Sequence, residues 1–453
     1  MTRANAPLRV VVVGAGPAGL AAALAAARPG VAVQLLDDNP APGGQVWRSG
    51  PAYPVTFRSL AAQQALARAD VKIRSGCRIV GVCEPGVLML DGDNQSDLSP
   101  TITWDRLILA TGARERFLPF PGWTLPGVTG AGGAQALVKG GFPILGKRVV
   151  IAGSGPLLLA SAATLRAAGA NVVMVVEQAP TRAMLSFAVR LVRWPAKLMQ
   201  ALALRTQLAG IPYHWHSHVV AAEGDEALRA VRVSIRGVEK VIECDWLACG
   251  FGLQANLELA HALGCAVHTR HGPPAVRVDQ YQQTSLPDVY AAGEATGIGG
   301  LDKAWAEGFQ AGLAATGTQL KSSGQTRLDV HYRFAELLQA TFTLRPEIMR
   351  LAQDDTLVCR CEDVTLGALR EHLDWQSAKL ATRCGMGACQ GRICSPICHD
   401  VLGWPRPSPT LSSSMREPIQ PVPVIQLLKH LQHTQPSTFT NSLTLSTSSQ
   451  EIP

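Results

Sequence analysis

Six of the 11 cysteines crowd into one stretch: Cys359-Arg-Cys361, then Cys384-Gly-Met-Gly-Ala-Cys389-Gln-Gly-Arg-Ile-Cys394, then Cys398. Crowding of this kind in a reducing compartment points to metal ligation rather than disulfides. Four thiolates can hold a [2Fe–2S] cluster, and two pairs on separate loops suit two irons with two protein sulfurs each. Gly385 and Gly387 can offer backbone N–H groups to cluster sulfur, while Arg360, Arg383 and Arg392 can offset its negative charge. A structural Cys₄ zinc site is the bland alternative, but zinc knuckles prefer CxxC to CxC. Cys398, like His399, reads as a helix residue rather than a ligand.

A second kind of chemistry is written in glycine. GAGPAG at Gly14 to Gly19 follows an apolar strand and opens a helix, the context that a dinucleotide-binding turn requires. Gly14 permits the tight turn, Gly16 lets a pyrophosphate approach, and Gly19 allows helix to pack on strand. Asp37 ends the next strand and is placed to hydrogen-bond a ribose, with Asp38 as the fallback. The pattern returns at Gly153-Ser-Gly155-Pro-Leu-Leu158, with Leu158 where a third glycine is expected. Leucine there should push the helix off the strand. Glu177 closes the following strand and favours NAD over NADP, yet it lies one residue further from its first glycine than Asp37 does. NAD, another adenine nucleotide and a retained scaffold all remain open readings of this second turn.

These residues need elements to hold them. Arg9–Val13, Leu20–Ala27 and Val31–Leu36 read as strand, helix and strand; Arg148–Ile151, a helix through Ala168, and Val172–Val176 repeat the unit. Arg106–Ala110 reads as a strand, Pro119–Gly133 as a crossover, Val289–Gly293 as a further strand with Trp305–Ala315 as its helix, and His331–Arg350 as a polar helix. The expected class is α/β, with two Rossmann-like dinucleotide-binding domains plus a small helical iron–sulfur domain. We expect an FAD domain at 1–125 and 250–322, a second nucleotide domain at 126–249, a helical linker and cluster domain at 323–404, and an extended tail at 405–453. The Ser/Thr-rich stretch Gln435–Pro453 should be disordered.

The 453 residues carry 47% hydrophobic and 17% charged side chains, with 43 glycines, as enzymes that enclose cofactors do. The net charge of +7 is scattered, with no basic run interleaved with aromatics, which argues against nucleic acid. Val10–Ala27 has no charge, but its glycines make it strand, turn and helix rather than a leader or a membrane span. No transmembrane segment is expected, and the location should be cytoplasmic, with peripheral membrane contact left open. His214, His216 and His218 alternate along an expected strand and read as an ordinary solvated face. No set of residues reads as a hydrolase triad or an evident general base, so no catalytic residue is assigned.

Three further segments carry a family resemblance: Pro42-Gly43-Gly44-Gln45, Ala110-Thr111-Gly112-Ala113 and TSLPDVYAAGE at Thr284 to Glu294. With the first glycine turn, they resemble the glutathione-reductase-like flavoproteins with two dinucleotide-binding domains. The resemblance implies FAD held by Gly14, Gly16, Gly19, Asp37, Gly44, Gln45, Thr111, Gly112, Gly293 and Glu294, the last contacting the ribityl chain. Aspartate is usual where Glu294 stands. No CxxC accompanies these motifs, so disulfide reduction is not expected, and Cys77 and Cys83 read as core or surface thiols. The cysteine stretch resembles the BFD-like [2Fe–2S] domain, which implies Cys359, Cys361, Cys384 and Cys389 as ligands. The wider closing spacing makes Cys394 a rival fourth ligand.

The whole order, from APGGQ through GSGPLLL, CGFG and AGEATGIGG to CRCEDV and CGMGACQGR, resembles the α (A) subunits of opine oxidase, D-hydroxyproline dehydrogenase and hydrogen cyanide synthase. That resemblance runs from about Val10 to Val424. It implies a D-amino-acid-oxidase-like flavoprotein β subunit, which oxidises a C–N bond, and often a small ferredoxin-like subunit. This chain would then be the FAD- and [2Fe–2S]-containing oxidoreductase subunit, working on CH–NH or CH–NH₂ donors within a complex. The alternative is a self-contained NADH-dependent FAD reductase that passes electrons through its cluster.

Overall fold

A computed structural model describes residues 6–51, 53–91, 100–269, 272–318, 322–405, 417–425 and 427–428. The stretch from Gln435, expected to be disordered, lies outside the described residues. Five parallel strands form the first sheet, in the order Val289–Ala291, Arg106–Leu109, Leu8–Val13, Val31–Leu36 and Lys72–Arg74. Strands covered on both faces need apolar side chains on both, and Val10 to Val13 are all buried. The helix Pro17–Ala26 is buried nearly all round, which accounts for its lack of charge without a membrane. No helix among the described residues is long and apolar enough to cross one.

That helix is wedged between the sheet and the helix Leu301–Ala315. The wedge is possible because side chains are missing from the contact: a Cβ on Gly308 would stand 2.0 Å from the carbonyl oxygen of Ala18, and one on Gly312 2.2 Å from that of Ala22. Two glycines one turn apart on one helix therefore lie against the alanine-rich face of the other.

The second sheet repeats the design, in the order Tyr213–His214, Asn171–Glu177, Arg148–Gly153, Trp246–Gly250 and Val128–Gly130, all parallel. Its register explains the extra residue before Glu177. Val149 pairs with Val172 but Val150 with Met174, so Val173 is bulged out, and Gly153 still faces Glu177. Leu158 is fully buried without expelling its helix, because its side chain packs over Gly250, where the neighbouring strand has no side chain. The expected displacement of the helix by a leucine does not follow.

The three histidines do not share a strand face. His214 ends the strand in the second sheet, His216 turns the chain at φ +54°, and His218 lies in a separate antiparallel sheet of Ser217–Glu223, Ala230–Ile235 and Val238–Glu243. The polar helix runs over Ser322–Thr341, and only a 3₁₀ turn at Ile348–Arg350 follows where the helix was expected to continue. Beyond it come a short ladder, Leu357–Cys359 with Val364–Thr365, and the helices Leu366–Arg370, Trp375–Thr382 and Cys394–Val401; Cys359 ends the ladder's first strand, Cys361, Cys384 and Cys389 lie in turns, and Cys394 and Cys398 lie in the last helix. The core of this module is continuous with that of the second sheet, and the Trp123 ring N–H donates to the Leu357 carbonyl at 2.7 Å.

Gly308→Ala should lower unfolding stability by about 1–3 kcal/mol through overpacking. Urea titration measures this, and an unchanged midpoint would show that the two helices are not in contact.

Candidate functional site

The first glycine turn sits at the carboxyl ends of its strands, where open α/β sheets bind ligands. Gly14 adopts φ +102°, and a Cβ there would stand 2.2 Å from the Ala110 carbonyl oxygen; one on Gly19 would stand 1.7 Å from that of Gly14. Asp37 accepts from the Ala15 amide through one carboxylate oxygen and from the Asn39 amide, at 2.7 Å, through the other. Asp38 beside it is pushed up, first by burial and then by the charge of Asp37. Gly14, Asp37, Asp38 and Thr111 line a cavity of about 210 Å³.

The remaining expected residues surround this turn. Gly43 donates to the Ala15 carbonyl at 2.8 Å, and Gly44 lies directly on Gly16, where a Cβ would come within 2.8 Å of its Cα. Gln45 is exposed and held by Arg48 at 3.0 Å. The Thr111 hydroxyl donates to the Asn256 carbonyl at 2.8 Å, and the Gly112 carbonyl accepts from the Asn256 amide at 3.0 Å. The Gly293 amide donates to Glu307 Oε2 at 2.9 Å, on the neighbouring strand end. Glu294 is turned onto its own backbone: Oε2 accepts from Gly299 and Oε1 from Gly300, at 2.9 and 2.8 Å. Burial raises its carboxyl above the usual range.

Further residues complete this region: Trp305 and Glu307, which the sequence offers either as flavin- or partner-facing or as helix packing, and Lys303, which sequence reasoning did not single out. Lys303 is buried, its ammonium bonded to Glu307 at 2.9 Å, to the carbonyls of Gly293 and Gly297, and to the Thr296 hydroxyl. The i, i+4 spacing of Lys303 and Glu307 was a readable signal. Glu307 thus fixes the Gly293 turn, while Trp305 packs on Trp47 with ring centroids 5.7 Å apart. Arg114, Asn256 and Glu258 also line the cavity, and no local pattern marks them; Arg392, read from the sequence as a cation beside the cysteines, lines it too.

The second glycine turn has the same backbone plan but a different surface. Gly14 and Gly16 are partly open, whereas Gly153, Ser154, Gly155 and Glu177 are all buried. The cover is the chain itself. The Ser154 hydroxyl and the Gln178 amide donate to the carbonyls of Phe342 and Thr343, both at 3.1 Å, and the Arg345 amide donates to Gln178 Oε1. The Phe342 ring lies 3.8 Å from where a Cβ of Gly155 would be, and Arg345 is held by His218 Nδ1 at 2.9 Å. A pyrophosphate on this turn would need the space that Phe342 fills, so the residues present do not fit NAD.

The cysteines converge. The Sγ atoms of Cys359, Cys384 and Cys394 all lie within 4.8 Å of one another and are buried. Cys394 also touches Cys389, Cys389 touches the exposed Cys361, and Cys398 touches Cys384. The Cys359 thiol is held down to about 6, first by its hydrogen bond with Cys394, against burial, and then by the amides of Gly385, Glu362 and Cys361. Cys389 is held down to about 5, again first by Cys394. Cys394, Cys398 and Cys361 are pushed the other way, and it is the closeness of the sulfurs and the amides around them that suit a soft metal centre. Only one of the three nearby arginines addresses a cysteine: Arg392 donates to the Cys389 carbonyl at 3.2 Å, while Arg360 stacks on Trp123 and Arg383 pairs with Glu362.

Glu177 yields a pH test. Burial raises its folded value to about 7, above the ordinary 4.5. Its contribution to stability is present below 4.5 and is lost as pH rises through 7, by up to about 3 kcal/mol. Denaturation across that window should show the fall, and Glu177→Gln should flatten it; an unchanged slope would contradict the assignment.

Comparisons with known proteins agree with this geometry. The family described as pyridine nucleotide-disulphide oxidoreductase matches residues 8–308. Hydrogen cyanide synthase subunit HcnB of Pseudomonas aeruginosa is 32% identical over 92% of this chain and 97% of its own. The opine oxidase A subunit of Agrobacterium tumefaciens is 30% identical over 94% of this chain and 92% of its own, and that of Rhizobium meliloti strain 1021 is 35% identical over 85% and 90%. Among solved structures, L-proline dehydrogenase from P. horikoshii shares the fold with a TM-score of 0.64 at 20% identity, covering 93% of this chain and 79% of that one. Thioredoxin reductase of T. acidophilum, 25% identical, aligns with a TM-score of 0.51 over 68% of this chain and 97% of its own. The chain is a flavin oxidoreductase of the pyridine nucleotide-disulphide oxidoreductase family, related across most of its length to hydrogen cyanide synthase subunit HcnB and to the A subunit of opine oxidase.

Proposed function

We propose that this protein is the FAD- and [2Fe–2S]-carrying electron-transfer subunit of a multi-subunit amine or amino-acid dehydrogenase in the cytoplasm, of the opine oxidase or D-hydroxyproline dehydrogenase type. A D-amino-acid-oxidase-like β subunit would oxidise the C–N bond, and the further partner would be a small ferredoxin-like subunit. Residues 1–125 and 250–322 would hold FAD, 126–249 would form the second fold, and 323–404 would hold the cluster. Bound there, the two groups supply two-electron and one-electron transfer respectively.

The observation that carries this reading is the attachment of the cysteine module to the flavin side. Arg116 grips Asp400 of the helix Cys394–Val401 at 2.8 Å, and Arg392 of the cysteine loop meets Glu258 at 3.2 Å. Both anchors lie beside Thr111–Gly112, so the module is fixed against the first cavity rather than tethered loosely. The chain's part is to hold and orient the two groups there. The covered turn at Gly155 speaks against the self-contained NADH reductase, and the second fold serves as scaffold.

Among the cysteines, we take Cys359 and Cys361 as one pair and Cys389 and Cys394 as the other. Cys361 touches Cys389, and Cys394 touches both Cys389 and Cys359, which links the four; Cys384 meets Cys359 and Cys394 as well and is further bonded to Cys398 in the helix behind them. This set replaces Cys384 with Cys394.

The purified chain should contain flavin and iron. Under anaerobic titration NADH should leave both oxidised, and a rhombic EPR signal should appear with dithionite; full reduction by NADH would instead favour the self-contained reductase, and zinc without iron would sink the cluster. Cys394→Ser should lose most of its iron while Cys384→Ser keeps it, and the reverse pattern would restore the first ligand set.

A further inference from the structure

Glu258 stands between the two proposed centres. It opens the short helix Glu258–Leu263, is 9% exposed, and its Oε1 meets two guanidinium groups: Arg114 Nη1 at 2.5 Å and Arg392 Nε at 3.2 Å. Two cations share one carboxylate oxygen. Arg114 lies on the strand Ala113–Glu115, directly after Thr111–Gly112, and lines the 210 Å³ cavity with Gly14 and Asp37. Its Nη1 also donates to Asn256 Oδ1 at 2.8 Å, but its buried Nε has no hydrogen-bond partner. Arg392 enters the same cavity from the cysteine loop. It donates to the Cys389 carbonyl at 3.2 Å, to Gln390 Oε1 at 3.3 Å and to the Ile419 carbonyl.

Two guanidinium groups share one oxygen of Glu258 in this partly desolvated place, so each competes with the other for it. Arg114 lines the cavity together with Gly14 of the glycine turn, where a dinucleotide brings its diphosphate. An anion there draws on Arg114, whose unpartnered Nε is available, and Glu258 is released towards Arg392. Arg392 in turn bears on the carbonyl of Cys389. Conversely, a cluster bound by Cys389 would fix that loop, and with it Arg392 and the Glu258 oxygen that Arg392 shares with Arg114.

We propose that Glu258 is a positioning residue that couples occupancy of the first dinucleotide cavity to the state of the cysteine cluster, through Arg114 on one side and Arg392 on the other. The proposal rests on the FAD and iron–sulfur reading above. Such coupling is reciprocal: the factor by which cluster loss weakens FAD binding equals the factor by which FAD loss weakens cluster retention.

The test uses the full chain, iron-loaded and chelator-stripped, with FAD affinity read by flavin fluorescence. Stripping should weaken FAD binding of the unmodified protein by about fivefold to a hundredfold, the usual span of coupling between two sites. In Glu258→Gln the two forms should bind FAD alike. A second readout separates coupling from mere loosening: the cluster's midpoint potential should differ between FAD-bound and FAD-free protein, and Glu258→Gln should abolish that difference. If Glu258→Gln does not fold, Arg392→Lys, which keeps the charge and shortens the reach, should collapse both differences. Equal FAD affinity before and after stripping, or a variant that keeps the full ratio, overturns the proposal. A chain that purifies with both centres but shows no coupling overturns the proposal alone; one that holds neither flavin nor iron overturns the functional reading and the coupling with it.

Discussion

Backbone packed on backbone, with no side chain between, is the constraint from which the rest of this structure follows. At Gly19 and Gly14 helix meets turn, at Gly14 and Ala110 turn meets strand, and at Gly308 and Ala18 helix meets helix, each with less room than a methyl group needs. These approaches bring the amide-lined turn, the end of the Ala110–Gly112 segment and the Gly293 turn to one edge of one sheet. A cavity for a dinucleotide is then a by-product of the packing, and it needs few dedicated side chains: Asp37 steadies the turn, and Lys303 with Glu307 steadies the adjacent one. Where the same plan recurs at Gly153 and Gly250, Phe342 and Thr343 lie over the turn. Fold and site are separable here, as they are in α/β proteins generally.

The cysteine module depends on both halves. Its apolar residues merge with the core of the second sheet, while its charged anchors, Asp400 and Arg392, reach the first. The second fold thus pairs a covered glycine turn with the packing face for this module. It seats the helix–ladder segment that carries the module and presents the cysteines to the flavin side.

What could be read from the chain beforehand was local. The strand–turn–helix around Gly14, the duplication at Gly153 and the crowding of cysteines depend on neighbours a few residues away, and each is found in place. Long-range compensation was hidden. Leu158 looked disruptive because Gly250, which makes room for it, lies far along the chain. Counting residues to Glu177 suggested a misplaced carboxylate because a bulge at Val173 leaves no mark in composition. The histidines alternated as a strand would, but the alternation crosses a left-handed turn at His216. The bridge of Arg114, Glu258 and Arg392 joins three segments that no periodicity connects.

The order of synthesis gives the first cavity a history. Gly14 and Asp37 leave the ribosome early, yet Arg392, Ile419 and Gln420, which form part of the same wall, are made near the end. While the intervening residues are translated, the nascent cavity stands open on that side, and a cofactor that enters can also leave. Only when the cysteine module has folded onto the second sheet and Ile419 has hydrogen-bonded to Val80 is the wall complete. Enclosure of the cavity is thus a property of the finished chain, and a product truncated before Arg392 would keep every residue of the first glycine turn yet lack one wall.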